Sequence, residues 1–267
     1  MYLKTKITYR ERENNHKLGE YTMKEKRVLI SAPIGGHKQY SINTWFEWIA
    51  RQSYINFDVC LCANGDVRKE LLEKIKEVKI KHNGEIKGII GLELPNSDSL
   101  SIIQKITYAR ETIRRYAVKE GYEAIFWLDT DTIPANKNAI SRLLSWDLDS
   151  ISGLYFYKES SVPVAIDPDT NTNFNLEKLE SFVNINKVVP AWGYGYGCLI
   201  HQRKAMNTPF DYELFGEERT DDFGHCEALE NAGVPRFLDP FVLCKHLGEK
   251  EPLKKINEML GVEEWQE

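Results

Sequence analysis

The sequence predicts an α/β fold built on a doubly wound sheet, and three observations carry that prediction. Short apolar runs alternate with helical stripes through the first half of the chain. Clusters of Gly, Pro and Asn punctuate the boundaries between them. One apolar run, Ala124-Ile125-Phe126-Trp127-Leu128, ends in two carboxylates one residue apart, Asp129 and Asp131.

Residues 1–26 are polar and lack periodicity, so they read as an N-terminal extension. Val28 to Pro33 reads as a buried strand closed by Pro33 and Gly35-Gly36. From Ser41 to Gln52, the spacing of Ile42, Trp45, Phe46 and Ile49 predicts a helix. Asp58 to Ala63 is a second strand, followed by an Asn64-Gly65 turn. Residues 66–80 form an amphipathic helix with Leu71, Leu72, Ile75 and Val78 inside. A third strand runs from Gly88 to Leu94. A long helix over 99–119 follows, carrying Ile102, Ile103, Ile106, Ala109, Ile113 and Ala117 on one stripe.

Beyond the acidic pair, a short helix near Ala139 to Leu144 precedes a strand from Ser150 to Tyr157 and a polar loop from Pro168 to Asn175. The alternating glycines and aromatics of residues 188–200 suggest a close-packed loop entering a strand. A helix near Asp222 to Asn231 ends at Gly233, a residue suited to the left-handed C-terminal cap. A final strand approaches His246, and residues 252–260 have the pattern of a short amphipathic helix. The expected organisation is an extension over 1–26, one domain over 27–249 and a short helix or tail over 250–267.

The chain has 267 residues, enough for a sizeable core. Its 42% apolar and 28% charged content is that of a soluble globular protein. A net charge of −5, with no basic stripe, argues against a nucleic-acid partner. No apolar run reaches the roughly 18 residues of a membrane span, and the charged N-terminus lacks an apolar signal core. The expected location is cytoplasmic, with peripheral membrane contact through that N-terminus left open. The five cysteines, Cys60, Cys62, Cys198, Cys226 and Cys244, are odd in number and read as buried free thiols.

A strand delivers alternate side chains to one face, so Asp129 and Asp131 point the same way at its C-terminal tip. Open α/β sheets bind ligands at that edge. Adjacent carboxylates repel each other unless a cation or a ligand's donors lie between them, which suggests a divalent metal and a phosphate behind it. A polar turn closing the strand, helped by Pro134, is the plain alternative.

Five segments in order, FWLDTDTIP, ISGLYFY, GYGCLIHQR, TDDFGHCEALENAGV and FLDPFVLCKHLG, resemble the GT-A glycosyltransferases, particularly the family 2-like enzymes. The likeness spans roughly residues 27–248 and implies a Rossmann-like mixed sheet flanked by helices, a nucleotide-diphosphate sugar donor and a divalent cation. By this resemblance Asp131 is the direct metal ligand, and Asp129 contacts the ribose or a metal-bound water. Thr130 belongs to the same donor segment, and His246 completes the metal site. An imidazole ligand favours Mn²⁺ over Mg²⁺.

Asp222 is the implied general base of an inverting reaction, taking the acceptor hydroxyl's proton. Asp221 stands where the family more often has Glu. The helix macrodipole is expected to keep both acids ionised, although acids at a helix N-terminus are also ordinary caps. Ala32 and Pro33 resemble the segment lying against the nucleotide base, and Asn64 replaces an Asp that commonly reads it. Arg110 matches an arginine facing the donor. Trp192, Tyr194 and Tyr196 could offer an acceptor platform, with Asp221 beside them. The acceptor class, whether glycan, lipid or protein, is open.

Three other readings compete. Haloacid-dehalogenase-type phosphatases also use Asp-x-Asp, but after their first strand. A sugar nucleotidylyltransferase needs a Gly-rich basic loop, which Gly35-Gly36-His37-Lys38 only faintly suggests. A non-catalytic nucleotide-sugar or glycan-binding module would bind without turnover.

Overall fold

A computed structural model describes residues 26–63, 68–81, 86, 88–94, 99–158, 160–184, 186–215 and 220–247. The predicted extension up to residue 25, Asn64 and the 252–260 segment lie outside the described residues. Lys26 and Arg27 already belong to the fold: Lys26 Nζ donates to Gln202, and Arg27 pairs with Asp58 at 2.9 Å.

The first half alternates as the apolar runs require: β1 (Val28–Ile34), α1 (Ile42–Ala50), β2 (Phe57–Ala63), α2 (Arg68–Lys81), β3 (Ile89–Glu93), α3 (Ile102–Lys119) and β4 (Ala124–Trp127). A 3-10 turn, Gly36–Ser41, joins β1 to α1. These four strands pair in parallel in the order β3-β2-β1-β4. The second half begins with β5 (Thr132–Pro134), α4 (Ala139–Ser145), β6 (Ser150–Leu154), β7 (Ala165–Asp167), β8 (Thr172–Asn173) and α5 (Leu176–Asn184). It continues through β9 (Val189–Pro190), β10 (Gly193–Tyr194), β11 (Leu199–Gln202), α6 (Arg203–Asn207), α7 (Tyr212–Phe215), α8 (Asp221–Asn231) and β12 (Arg236–His246).

Strand β11 runs antiparallel to both β4 and β6, which makes the sheet mixed. Among the described residues this main sheet has nine strands in the order β3-β2-β1-β4-β11-β6-β12-β5, with β9 on β12, while β10, β7 and β8 form a small second sheet. Strand β12 pairs parallel to β6 and antiparallel to β5 and β9, with a register irregularity between Asp239 and Leu243.

Alternation across the pleat builds two cores. Val28, Ile30, Ala32 and Ile34 of β1 face the layer of α1 and α4. Leu29 faces the other layer, where Ile113 and Ala117 of α3 and Leu179 of α5 pack. Burial of these apolar side chains, at roughly 25 cal/mol per Å² removed from water, is the main force holding helices to sheet. All five cysteines are buried and free.

Several expectations shift. Pro134 does not close the strand that carries the acidic pair; it is the last residue of β5, opposite Cys244, on an edge where its missing N–H costs no ladder bond. The strand expected to reach Tyr157 stops at Leu154. The polar loop after Pro168 folds back as the β7–β8 hairpin. Helix α3 starts later than its stripe suggests, because Ser101 caps it in a reciprocal box with Gln104, and Ile102 is left 70% exposed. Among the described residues, no helix is long and apolar enough to cross a membrane.

Candidate donor site

The acidic pair lies just past β4, in a turn pinned from three sides. Trp45 Nε1 donates to Leu128 O at 3.0 Å. The Asp129 amide donates to Gly197 O at 3.2 Å, and Leu247 N–H donates to Asp131 O at 2.6 Å. Both carboxylates reach one cation: Lys38 Nζ is 2.9 Å from Asp131 Oδ1 and 3.6 Å from Asp129 Oδ2. The two acids therefore converge as strand alternation predicts, although regular pairing ends at Trp127.

The Asp131 side chain is only 1% exposed, and its other oxygen, Oδ2, lies 2.9 Å from Lys158 Nζ and 3.5 Å from His246 Nε2. Burial alone would raise its pKa; His246, Lys38 and Lys158 outweigh that and hold the carboxyl well below the usual range. Burial likewise disfavours the Lys38 ammonium, but Asp129 and Asp131 raise its pKa in net.

A cleft of about 470 Å³, its open mouth included, is lined by Pro33, Gly35, Lys38, Ile106, Arg110, Asp129, Tyr155, Tyr196, Asp221 and Asp222. Arg110 crosses its floor. Its Nε donates to Asp221 Oδ2 at 2.6 Å and its Nη2 to Asp129 Oδ1 at 3.1 Å. The guanidinium also lies 5.0 Å from the Tyr196 ring centroid. Nη1 is buried and has no hydrogen-bond partner. An orphaned buried donor in a cleft is a ready contact for an anionic ligand.

Helix α8 presents the second acidic pair. Thr220 donates its hydroxyl to Asp222 Oδ1, and the Phe223 amide donates to the same oxygen at 2.8 Å. Neither acid acts as a plain N-cap. The macrodipole is also not the dominant influence on Asp222: burial and the Asp221 charge push its pKa up to about 6.

Tyr155, to which no local sequence motif assigns a role, enters the cleft from the end of β6. Its hydroxyl oxygen accepts the Gly197 N–H at 3.0 Å, so its own proton can be donated to a ligand. Burial, Asp222 and Asp129 keep the phenol protonated. The signal was available, since Gly195 and Gly197 clear its ring: a Cβ on Gly195 would lie 1.9 Å from the Tyr155 hydroxyl.

The other expected residues divide. Pro33 lines the cleft, whereas the Ala32 side chain lies in the core. Thr130 is buried, accepts from Ser41 Oγ at 3.2 Å and does not line the cleft. Tyr194 is fully buried with its hydroxyl 2.5 Å from Ser150 Oγ, which removes it from any acceptor platform. Trp192 donates its N–H to Ile166 O, accepts from the Arg236 side-chain Nε at its carbonyl, and does not line the cleft. Tyr196 does line it, with its ring; its hydroxyl turns inward to His225. Burial pushes His225 down to about 3 and lowers His201 well below its ordinary value, so this inner cluster is neutral.

A divalent ion can be tested against these groups. A carbonyl oxygen only accepts, so His246 Nδ1 carries the proton donated to Phe156 O at 3.1 Å. Its Nε2 faces Asp131 Oδ2 at 3.5 Å, so the imidazole and the carboxylate reach the same point. Two carboxylates and an imidazole suit Mn²⁺. Among the described residues no three acidic, imidazole or thiol groups close on one point, and Lys38 Nζ stands where the two carboxylates converge. The donor chemistry fits, with the lysines seated on it.

No family model matches the sequence, and no curated protein matches it. Solved structures do. The fold is similar to mannosyltransferase PcManGT from Pyrobaculum calidifontis in complex with GDP-Man and Mn²⁺, at a TM-score of 0.58 and 13% identity over 89% of this chain and 61% of that one. It is also similar to GalNAc-T7 with UDP, GalNAc and Mn²⁺, at a TM-score of 0.57 and 14% identity over 91% of this chain and 49% of that one. The chain thus spans less than two thirds of either protein's length. These likenesses establish the fold class: a GT-A fold, with its mixed sheet flanked by helices.

Proposed function

We propose that the protein is a metal-dependent glycosyltransferase that moves a sugar from a nucleotide-diphosphate donor to an acceptor hydroxyl with inversion. The observation that carries this reading is the meeting, through Arg110, of Asp129 and the Asp221-Asp222 pair in one cleft. One acidic motif suits a diphosphate and its cation, and the other suits proton removal. The two similar solved structures, one in complex with GDP-Man and Mn²⁺ and the other with UDP, GalNAc and Mn²⁺, support a sugar donor of that class.

Asp131, Asp129 and His246 would hold the divalent ion, which supplies Lewis-acid charge to the departing diphosphate. The chain's own groups do the rest. Arg110 Nη1 offers a donor to a phosphate oxygen, and Pro33 borders the nucleotide. Asp222 takes the acceptor hydroxyl's proton as the acceptor oxygen bonds to the anomeric carbon. The bond from that carbon to the phosphate oxygen breaks, and the nucleoside diphosphate leaves. Asp222 is suited to this because a base with a pKa near 6 is ionised at neutral pH and still basic. Both of its described hydrogen bonds use Oδ1, which leaves Oδ2 for the proton. Tyr155 orients a sugar hydroxyl from the opposite wall.

The test is a panel of UDP-, GDP- and TDP-sugars with Mn²⁺, scored for binding and slow hydrolysis in wild type and D131A. Metal-dependent binding of one nucleotide, lost in D131A, is expected. Hydrolysis of a phosphomonoester with no nucleotide-sugar binding would transfer the reading to a phosphatase.

A further inference from the structure

Asp131 is saturated by two lysines from distant parts of the chain. Lys38 comes from the turn after β1 and Lys158 from the segment after β6, each 2.9 Å from a different Asp131 oxygen. Both ammoniums remain within reach of a ligand, at 24% and 45% side-chain exposure. Lys38 itself lines the cleft, and Lys158 also donates to the Tyr40 hydroxyl at 3.3 Å.

Charge balance gives these lysines a second task. Four carboxylates, Asp129, Asp131, Asp221 and Asp222, share the site with three cations, Arg110, Lys38 and Lys158. A diphosphate entering this arrangement meets net negative charge and two ammoniums already spent on Asp131. A divalent ion on Asp129 and Asp131 reverses the balance, because the carboxylates no longer need the lysines. Lysine suits such a transfer: its ammonium is a point charge on a flexible four-carbon stem, free to change partner.

We propose that Lys38 and Lys158 are the diphosphate-binding cations of this site, held on Asp131 in this structure and passed to the phosphate oxygens when a divalent ion takes that carboxylate. The proposal rests on the donor-site reading and adds to it a competition followed by a cooperation. The lysines oppose the metal when it binds alone, and metal and diphosphate then strengthen each other's binding.

The experiment titrates wild type, K38M, K158M and K38R with Mn²⁺ alone, then with UDP, GDP and inorganic pyrophosphate at saturating Mn²⁺, by calorimetry. Removing an ammonium is expected to tighten Mn²⁺ alone and to weaken the diphosphate ligands, each by roughly tenfold, the scale of one charge-assisted hydrogen bond. K38R, which keeps the charge, retains diphosphate binding. Thermal melts check folding, and the half-exposed Lys158 supplies the variant least able to disturb the core. Unchanged diphosphate affinity in both methionine variants, or weaker Mn²⁺ binding in them, overturns the proposal. If wild type binds pyrophosphate but neither nucleotide, and K38M and K158M lose it, the lysine assignment stands and the nucleotide-donor reading falls. If wild type binds none of the three, both fall.

Discussion

Arg110 Nε donates to Asp221 Oδ2 at 2.6 Å, which ties the helix before the first acidic motif to the helix that opens on the second. The pair is almost fully enclosed, with side-chain exposures of 4% and 12%. Removing one member of a buried ion pair leaves the other uncompensated, at a cost of about 3–5 kcal/mol. R110M is therefore expected to lose stability on that scale in urea unfolding. R110K is expected to recover part of the stability while losing the forked contact to Asp129 and Asp221 together.

If Asp222 is the base, kcat/KM rises with pH up to about 6 and then levels off, because only the carboxylate accepts a proton. Burial and the neighbouring Asp221 charge set that value, so D221N is expected to move the acidic limb to lower pH. A limb that stays in place in D221N would assign the ionisation to another group.

The same shift has a stability consequence. With a folded pKa near 6 against an ordinary 3.8, the folded state holds this proton more tightly than the unfolded chain does. Stability is therefore lost as pH rises from about 4 to about 6, and the charge stays costly above that. D222N is expected to stabilise the protein at neutral pH by about 1–3 kcal/mol while lowering transfer by roughly two to four orders of magnitude. Denaturant melts at pH 4 and pH 7 check the sign, with the gain confined to the higher pH.

Gly195 gives way to Tyr155 at a distance no side chain allows, since a Cβ there would sit 1.9 Å from the phenol oxygen. G195A is expected to displace the tyrosine, costing about 1–3 kcal/mol from overpacking. It also breaks the Gly197 N–H bond to the phenol. Y155F loses only that bond and keeps the ring, so the two variants separate packing from hydrogen bonding in thermal melts.

Local patterns carried much of this architecture. The apolar run of β4 and the stripe of α3 are visible because burial imposes a period on adjacent residues. Asp129, Asp131, Asp221 and Asp222 are legible as motifs. Arg110 could be assigned only through the family resemblance, since a helix arginine is more commonly solvated. The lysines were not legible. Lys38 and Asp131 are 93 positions apart and Lys158 and Asp131 are 27 apart, and nothing local records that they meet. Tyr194 and Tyr196 illustrate another limit: both lie in one Gly-aromatic stretch, and only the packed structure shows which ring meets the cleft. Helix α5 leaves a usable trace in Asn175, whose Oδ1 accepts the Lys178 amide at 2.7 Å as a helix cap does.

The register irregularity in β12 works as a phase setter. Pleating offers two choices for the side chain that arrives beside Asp131, Lys245 or His246, and the residues inserted between Asp239 and Leu243 decide between them. Asp239 is anchored by Arg142 and the Trp146 indole, so the miscount cannot slip toward α4. A one-residue insertion in that stretch would set Lys245 where His246 stands and exchange an imidazole for an ammonium at the acidic pair. The reactive end of the strand is thus specified by counting residues near its middle.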